Sequence, residues 1–278
     1  MPEMPELQAH AERLTAEFSG AALSGFRPIT FTALKTATPD PATAYGHVLV
    51  SVGRRGKYLL LDFDVATFVV HLMQGGRIVP DEKQSAKPRG GQARWTFADG
   101  RALLLTEAGT ERRAGVWVMS GDVDQQAPLS RLGPDADALD AATLLGRLHT
   151  ENTRLHGFLR DQGRIAGVGR RLANEICHRA KLSPFAMTKK LTATEADVLL
   201  AAIDVCIEES LDFERGRDSM SKSADRPGSV HHRDGEACPV CNDEIRAVEY
   251  RSYTVNYCPT CQTGGKVLAD NTTSRFLK

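Results

Sequence analysis

In the first half of this chain, apolar residues recur at helical spacing only near the N-terminus. Positions 7, 11, 14 and 18 are apolar, which predicts an amphipathic helix that ends near Ser19. From Phe26 to about Ser120 the apolar runs are short, rich in β-forming residues and separated by turn signals such as Ala98-Asp99-Gly100. The predicted strands are His47–Val52, Tyr58–Phe63, Phe68–Leu72, Ala93–Phe97, Ala102–Leu105 and Val116–Met119. Short strands with few helices between them predict a β-sandwich or a barrel-like pair of sheets.

The second half has helical periodicity, which begins after a break at Leu132-Gly133-Pro134-Asp135. The predicted helices are Asp137–His149, Thr153–Asp161, Arg170–Ala180 and a fourth that begins at a capping box, Thr192–Glu195. Segment Glu214–Gly228 contains almost no apolar residues and predicts a long loop. We therefore predict an α+β protein with an N-terminal helix and β-sandwich domain at 1–133, a helical domain at 134–230 and a small cysteine-containing domain at 231–278.

Composition places the 278-residue chain among globular proteins, with 41% hydrophobic and 25% charged residues and a formal net charge of zero. We expect a cytoplasmic protein without membrane association, because no apolar run has membrane-spanning length and no signal-peptide pattern is present. The zero net charge argues mildly against nucleic acid as a partner. Between Glu151 and Lys190, however, nine basic residues stand against three acidic ones, a local charge of +6. This segment predicts either salt-dependent phosphate binding or a solvated helical face.

Four of the six cysteines form two Cys-x-x-Cys pairs near the C-terminus, Cys238 with Cys241 and Cys258 with Cys261, separated by sixteen residues. Each pair can place two thiolates on one tetrahedral ion, and the spacer fits a β-hairpin over Ile245–Tyr257. We predict one structural zinc ion, because four protein ligands leave no open position for catalysis. A redox pair or free thiols are the alternative.

The N-terminus offers a nucleophile that needs no side chain. Pro2 becomes a secondary amine once Met1 is removed, and an α-amino group titrates near pH ~8, so that part of it is unprotonated at neutral pH. Such an amine can attack a sugar aldehyde carbon and form a Schiff base, while Glu3 moves the protons. An ordinary solvated N-terminus is the alternative.

Two further motifs are suited to binding a phosphate group. Lys57 follows the basic turn Gly53-Arg54-Arg55-Gly56 and has the length to reach a phosphate, although a surface lysine also fits. Gly167-Val168-Gly169 opens a predicted helix, where backbone amides and the helix dipole favour an anion.

These motifs occur together, and in this order, in one family. The chain resembles the formamidopyrimidine-DNA glycosylase and endonuclease VIII family of base-excision-repair enzymes, and the resemblance spans its whole length. The matching residues are Pro2-Glu3 with Pro5-Glu6, Gly56-Lys57-Tyr58, Leu132-Gly133-Pro134, Gly167-Val168-Gly169 with Ala173, Glu175, Ala180 and Pro184, and Cys238, Cys241, Cys258 and Cys261-Gln262.

The resemblance implies a bifunctional DNA glycosylase with an associated lyase activity, which flips a damaged nucleotide out of the duplex. By carry-over, Pro2 is the nucleophile at sugar C1′, Glu3 is the general acid and base, and Lys57 assists catalysis and contacts phosphate. The Schiff base then permits strand cleavage by β- and δ-elimination. The resemblance also implies a β-sandwich domain, a helix–two-turn–helix domain and a four-cysteine zinc finger. The expected partner is double-stranded DNA with a damaged base or abasic site, bound by a monomer at the nucleoid.

Two phosphate-binding positions depart from the family pattern. Arg170 stands where the family usually has asparagine, and Gly169 with Arg170 is still expected to bind phosphate. In the finger, Tyr253 occupies the position of the DNA-contacting arginine, with Arg251 two residues earlier as the candidate contact.

The residues that fill the gap left by a flipped base also depart from the pattern. The family usually has methionine, arginine and phenylalanine there. This chain offers Met73 or Gln74 for the first and Arg112 for the second, but has Ala114 for the third. The preferred lesion and opposite base are therefore not inherited from the family.

Two alternatives stay open. The absence of the phenylalanine weakly favours an enzyme restricted to oxidised pyrimidines or abasic sites. A non-catalytic zinc-finger DNA-binding protein on the same scaffold is the other alternative, although retention of Pro2, Glu3 and Lys57 together argues against it. Activity further requires removal of Met1, because with Met1 attached the Pro2 nitrogen is an amide.

Overall fold

A computed structural model describes residues 1–109, 112–222 and 225–268, in which two compact units are distinguished. Unit 1 comprises Met1–Arg131 with Arg217–Met220, and unit 2 comprises Leu132–Gly216 with Ser221–Lys278. The division into three domains at residues 133 and 230 stays a prediction. Unit 1 contains helix α1 (Met4–Phe18) and strands β1 (Leu23–Pro28), β2 (Ser51–Arg55), β3 (Tyr58–Asp62), β4 (Thr67–His71), β5 (Gly76–Pro80), β6 (Gly91–Phe97), β7 (Ala102–Glu107) and β8 (Gly115–Met119).

The strands of unit 1 form two four-stranded antiparallel sheets, with strand orders β1-β6-β7-β5 and β2-β3-β4-β8. Aromatic rings from both sheets meet in the core. The Phe68 ring on β4 lies 5.1 Å from Phe26 on β1 and 6.0 Å from Trp95 on β6. Such aromatic pairs contribute about 0.5–1.5 kcal/mol each beyond their buried area. The sheet pair confirms the predicted N-terminal helix and β-sandwich.

The apolar pattern misses strands β1 and β5 and misplaces the start of β2. Gly25 interrupts β1, and the exposed pair Val79-Pro80 ends β5, so neither segment has a continuous apolar run. Strand β2 begins at Ser51 rather than at His47. The basic pair Arg54-Arg55 therefore lies within a strand, and the turn that follows consists of Gly56 and Lys57 alone.

Unit 2 begins with four helices, α2 (Ala141–Thr150), α3 (Leu155–Arg160), α4 (Arg170–Arg179) and α5 (Ala193–Arg215). The predicted capping box is present at α5, where Glu195 N–H donates to Thr192 Oγ1 at 3.2 Å and Thr192 N–H donates to Glu195 Oε2 at 2.8 Å. Helix α5 runs to Arg215, slightly into the predicted loop. Leu172 and Ile176 of α4 are buried in the core of this unit.

The end of unit 2 is a small hairpin followed by a helical turn. Strands β9 (Arg246–Glu249) and β10 (Thr254–Tyr257) pair antiparallel, and α6 (Pro259–Thr263) follows. This arrangement confirms the hairpin predicted between the cysteine pairs. Within the described ranges, no helix combines the length and the apolar composition that crossing a bilayer requires.

Candidate active site and nucleic-acid interface

Helix α1 begins directly after Pro2 and Glu3, and Glu6 fixes its first turn. Glu3 N–H donates to Glu6 Oε2 at 2.9 Å, and both glutamates are 5% exposed. Pro5 lies in the first helical turn, where its missing N–H leaves no bond unmade. Pro2 is buried and carries Met1, which is 44% exposed. Removal of Met1 would convert the Pro2 nitrogen into a secondary amine beside a buried carboxyl group.

The turn that carries Lys57 lies at the same end of unit 1 as the N-terminus. Val52 N–H donates to Thr15 Oγ1 at 2.8 Å, and that hydroxyl donates to Val52 O at 3.1 Å. Two helical turns closer to the N-terminus, Gln8 Oε1 accepts from Arg54 Nε at 3.4 Å. Helix α1 therefore runs antiparallel to β2, and the start of the helix and the β2–β3 turn converge. Lys57 is 8% exposed.

His71, on the strand beside this turn, is a neighbour of Lys57 that sequence reasoning missed. Burial, and then the positive charge of Lys57, lower the pKa of His71 to about 4, so that its ring is neutral at pH 7. The ring lies 4.7 Å from that of Tyr58, its partner in the β3–β4 register. The β3–β4 register pairs His71 with Tyr58, the residue after Lys57, and so places His71 beside the turn. His71 could be identified from the sequence only if the pairing of these two strands were known.

Met73 and Gln74, the two candidates for filling a vacated base position, both lie in the tight turn after β4, but their side chains have different environments. Met73 N–H donates to His71 Nδ1 at 3.2 Å, Met73 has a φ of 54°, and its side chain packs against the core of unit 1. Gln74 is exposed. The turn tolerates no side chain at Gly76, where a Cβ would lie 2.1 Å from Leu72 O. Gln74 is thus the candidate that a nucleic acid can reach.

The loop between β7 and β8 holds the other two positions. Ala114 is 1% exposed, and its N–H donates to Glu107 Oε2 at 2.7 Å. Arg112 is exposed, with a φ of 41°. The arginine is therefore available to a ligand, whereas Ala114 belongs to the core and supplies no wedge.

The turn before α4 is held by one glutamine side chain. Gly167 N–H donates to Gln162 Oε1 at 3.0 Å, and Gln162 Nε2 donates to Val168 O at 2.9 Å. Gly167 has a φ of 98°, a conformation that favours glycine. Gly169 is the N-cap of α4, and Arg170 is its first residue. The positive end of the helix dipole and the Arg170 guanidinium thus occur together.

The tip of the β9–β10 hairpin is bound to side chains that precede α4. The Arg160 guanidinium lies 3.9 Å from the centroid of the Tyr253 ring, and the Tyr250 ring stacks on that of Tyr253 at 4.6 Å. Arg154 Nη1 donates to Tyr250 Oη at 2.7 Å. Arg251, at the same tip, is exposed. Residues far apart in sequence are thus brought together, and neither Arg154 nor Arg160 was a predicted site residue.

Glu175 of α4 anchors the segment that leads to the finger. Its carboxylate accepts three backbone N–H bonds, from Ser229 at 2.7 Å, Val230 at 3.1 Å and His231 at 2.8 Å. One turn earlier, Arg171 Nη2 donates to Pro227 O at 2.7 Å. The matched family position Glu175 therefore has a clear structural role.

The four predicted metal ligands form one cluster. The Sγ atoms of Cys238, Cys241, Cys258 and Cys261 all lie within 4.8 Å of one another. The Cys241–Cys258 and Cys238–Cys261 sulfur separations are 3.3 and 3.9 Å. A tetrahedron with metal–sulfur bonds of ~2.3 Å has an edge of about 3.8 Å. Burial, as the largest cause, raises the pKa of Cys258 to about 11, so four thiolates need a cation to stay ionised together. The donor set fits one tetrahedral metal ion.

Two residues around the cysteines connect the finger to the helices. Gln262 Oε1 accepts from Cys258 N–H at 2.8 Å, and Gln262 Nε2 donates to Leu182 O at 3.0 Å. His178 of α4 places Nε2 3.3 Å from Cys238 Sγ. Sequence reasoning missed His178, because only the tertiary contact marks it.

Two family models match this chain. The formamidopyrimidine-DNA glycosylase N-terminal domain matches residues 1–117, and the formamidopyrimidine-DNA glycosylase H2TH domain matches residues 132–222. The first match contains the start of α1 and the Lys57 turn, and the second contains the Gly167–Gly169 turn and α4.

Relatives and a solved structure agree with these matches. A Mycobacterium tuberculosis protein described as an uncharacterized formamidopyrimidine-DNA glycosylase-like protein is 41% identical over 149 residues, which cover 53% of this chain and 94% of the relative. The formamidopyrimidine-DNA glycosylase of Methylococcus capsulatus is 31% identical over 281 residues, covering 94% of this chain and 100% of the relative. The Lactococcus lactis enzyme, crystallised non-covalently bound to DNA containing an AP site, shares the fold with a TM-score of 0.80 and 20% identity over 94% of this chain and 99% of that one. This chain belongs to the formamidopyrimidine-DNA glycosylase and endonuclease VIII (Fpg/Nei) family.

Proposed function

We propose that this protein is a bifunctional DNA glycosylase and abasic-site lyase of base-excision repair. The observation that carries the proposal is the convergence of the Pro2-Glu3 start of α1 and the Lys57 turn at one end of unit 1. Family membership supports it, and so does the abasic-site DNA to which the L. lactis neighbour is bound. The proposed partner is double-stranded DNA with a damaged base or an abasic site, and the protein acts as a monomer at the nucleoid.

The first chemical step uses the secondary amine that Pro2 gains when Met1 is removed. The nitrogen lone pair attacks C1′ of the flipped nucleotide, and the bond between C1′ and the base breaks. The base leaves with the bonding electrons and takes up a proton. Glu3 is buried beside the nucleophile and held at its backbone by Glu6, so it is placed to give and take protons during this step.

The second stage cleaves the strand. Opening of the sugar ring leaves an iminium bond between Pro2 and C1′, which acidifies the C2′ proton. Loss of that proton expels the 3′ phosphate by β-elimination, a second elimination expels the 5′ phosphate, and water then releases Pro2. Lys57 contributes a positive charge for a phosphate, while the neutral His71 beside it adds no charge of its own.

The DNA contacts follow from the described surfaces of each unit. In unit 1, the exposed Gln74, rather than Met73, fills the vacated base position, and Arg112 contacts the unpaired strand. In unit 2, Gly169 and Arg170 bind backbone phosphate, and Arg251 is a further contact at the hairpin tip. The four cysteines hold one zinc ion, which stabilises the finger and takes no part in the reaction.

Substrate choice is proposed from the missing wedge residue. Because Ala114 is buried in the core, unit 1 offers no large side chain there to probe the orphaned base. We therefore expect oxidised pyrimidines and abasic sites to be preferred, with weak dependence on the opposite base. A panel of duplexes with 8-oxoguanine, thymine glycol or an abasic site opposite each base measures this. Strong selection for 8-oxoguanine opposite cytosine would contradict it.

Borohydride trapping tests the proposed chemistry. Protein whose intact mass shows loss of Met1 is incubated with abasic-site DNA and sodium borohydride, and a covalent adduct is expected. The double variant Pro2→Gly/Glu3→Gln keeps an α-amino group, now a primary amine, but should trap much less adduct because Glu3 can no longer transfer protons. Glu17→Gln, an exposed glutamate on the last turn of the same helix, is the matched control and should trap as the native protein does. No adduct with native protein would leave the non-catalytic alternative, whereas equal trapping by the double variant would contradict the roles proposed for Pro2 and Glu3.

A further inference from the structure

Three arginines contact the tip of the finger hairpin, two of them through tyrosine side chains and the third through a backbone carbonyl. We propose that Arg154 and Arg160, positioned by Tyr250 and Tyr253, form together with Arg170 a binding surface for the phosphodiester backbone of DNA. We name these five residues the arginine–tyrosine cluster. The inference rests on the proposed function and deepens it, because it adds Arg154 and Arg160 to the DNA contacts and gives Tyr250 and Tyr253 positioning roles.

Each arginine of the cluster is held by a separate contact. Arg160 Cζ lies over the Tyr253 ring, 3.9 Å from its centroid, and Arg154 Nη1 donates to Tyr250 Oη at 2.7 Å. Arg170 Nη1 donates to Ser252 O at 3.1 Å. The two tyrosine rings stack on each other at 4.6 Å with an interplanar angle of 10°. The contacts therefore link α3, α4 and the hairpin tip into one surface of unit 2.

The charge of this surface is left uncompensated. Segment 151–190 contains three acidic residues, and each is engaged elsewhere. Glu151 and Asp161 both pair with Arg164, and Glu175 accepts the backbone amides of residues 229–231. Within the described part of the chain, none of the three cluster arginines forms an ion pair with a carboxylate. Burial, and then the nearby charge of Arg160, lower the pKa of His156 to about 3, which agrees with a positive surface.

The geometry suits an anion with paired oxygens rather than a neutral ligand, and the proposed DNA partner supplies such oxygens in its phosphates. A guanidinium that lies on an aromatic face keeps its N–H edge available for two parallel bonds to phosphate oxygens. The tyrosine contacts also fix long side chains that would otherwise lose conformational freedom on binding. Arg170 adds its charge at the N-terminus of a ten-residue helix, whose dipole has the same sign. The cluster thus supplies a positive charge in place of a guanidinium at position 253.

The test measures the salt dependence of binding to a duplex with a tetrahydrofuran abasic-site analogue. Each lost phosphate contact should reduce the slope of log K against log salt by about 0.9 and weaken binding about five-fold near 0.15 M salt. We expect this change in Arg160→Gln and in Arg154→Gln. The matched control is Arg246→Gln, at the far end of the same hairpin, where the arginine already pairs with Glu244 at 3.0 Å. The control should keep the native slope.

Two further variants separate binding from folding. Tyr253→Phe keeps the ring and should keep the native slope, whereas Tyr253→Leu frees Arg160 and should weaken binding. In an Arg160→Gln background, Tyr253→Arg returns a guanidinium to nearly the same place and should restore the slope. Circular dichroism and metal content verify that each variant is folded. An Arg160→Gln slope equal to that of Arg246→Gln, or no recovery with Tyr253→Arg, would overturn the proposal.

The outcome is independent of the catalytic proposal. If native protein traps abasic DNA but the arginine variants bind as Arg246→Gln does, the cluster is wrong and the glycosylase/lyase assignment stands. If the slope changes as expected while native protein fails to trap, the cluster stands and the catalytic assignment fails.

Discussion

The anchor that Glu175 makes to residues 229–231 gives a quantitative prediction. In Glu175→Gln the side chain keeps its length, but one carboxylate oxygen becomes an NH2 group that cannot accept a hydrogen bond. The retained oxygen can serve Val230 and His231, which now share Oε1, and the amide nitrogen is then left facing Ser229 N–H. One bond is lost, and the other two change from a charged to a neutral acceptor.

The magnitude follows from these bonds. A hydrogen bond to a charged group contributes about 1.5–3 kcal/mol, and a neutral acceptor roughly half of that. The lost bond therefore costs about 2 kcal/mol, and the two weakened bonds add about 1 kcal/mol each. Glu175 is only partly buried, so water recovers some of this loss. We expect local opening of segment 229–231 to become easier by about 2–3 kcal/mol.

Hydrogen–deuterium exchange measures this directly, because the bonds in question protect the amides that exchange. A change of 2–3 kcal/mol corresponds to exchange about 30- to 150-fold faster at these three amides. The control is Glu209→Gln, an exposed glutamate on α5 that pairs with Arg179 at 2.5 Å and should leave the segment unchanged. Native exchange rates in Glu175→Gln, or equal acceleration in Glu209→Gln, would refute the reasoning.

Three further predictions address the metal, pH and a tight turn. A strong chelator under reducing conditions should release zinc and weaken DNA binding, whereas intact fold and binding after metal removal would contradict the structural role. Burial, and then Arg13, lower the pKa of His10 to about 4 from 6.5, so the unfolded chain binds a proton first as pH falls. The free energy of unfolding of unit 1 should therefore fall by roughly 3 kcal/mol between pH 6.5 and 4 because of this group. Urea unfolding followed by tryptophan fluorescence should show a smaller fall in His10→Gln. In Gly76→Ala the new Cβ would lie 2.1 Å from Leu72 O, so the turn that presents Gln74 should be displaced. Unit 1 should be destabilised by about 3 kcal/mol or more, which the same urea unfolding assay measures.

The elements whose apolar residues recur with a clear period were predictable from the sequence. Helix α1 and the capping box at Thr192 follow local rules that tertiary contacts do not override. Strand β1 was missed because Ser24-Gly25 interrupts its apolar pattern, although pairing with β6 stabilises it. Strand β5 was missed because its last residues, Val79 and Pro80, are exposed. Local pattern cannot report a strand whose stability comes from its partner.

The candidate site shows the same limit. Cysteine spacing predicts the metal cluster, since ligands of one ion must converge whatever lies between them. The contact between Arg160 and Tyr253 joins residues from distant segments, and no local spacing predicts it. The choice between Met73 and Gln74 depends on the left-handed conformation of Met73, which only the folded turn defines. Sequence therefore locates the motifs, and packing decides which of their side chains are available.

The central claim is that the Pro2 nitrogen forms the covalent intermediate, and peptide mapping of the borohydride-trapped adduct by mass spectrometry tests it most directly. We expect the sugar remnant on a peptide that begins at Pro2, with Met1 absent and the nitrogen of Pro2 as the modified atom. A trapped adduct on a lysine such as Lys57, or trapping by protein that retains Met1, would contradict the account.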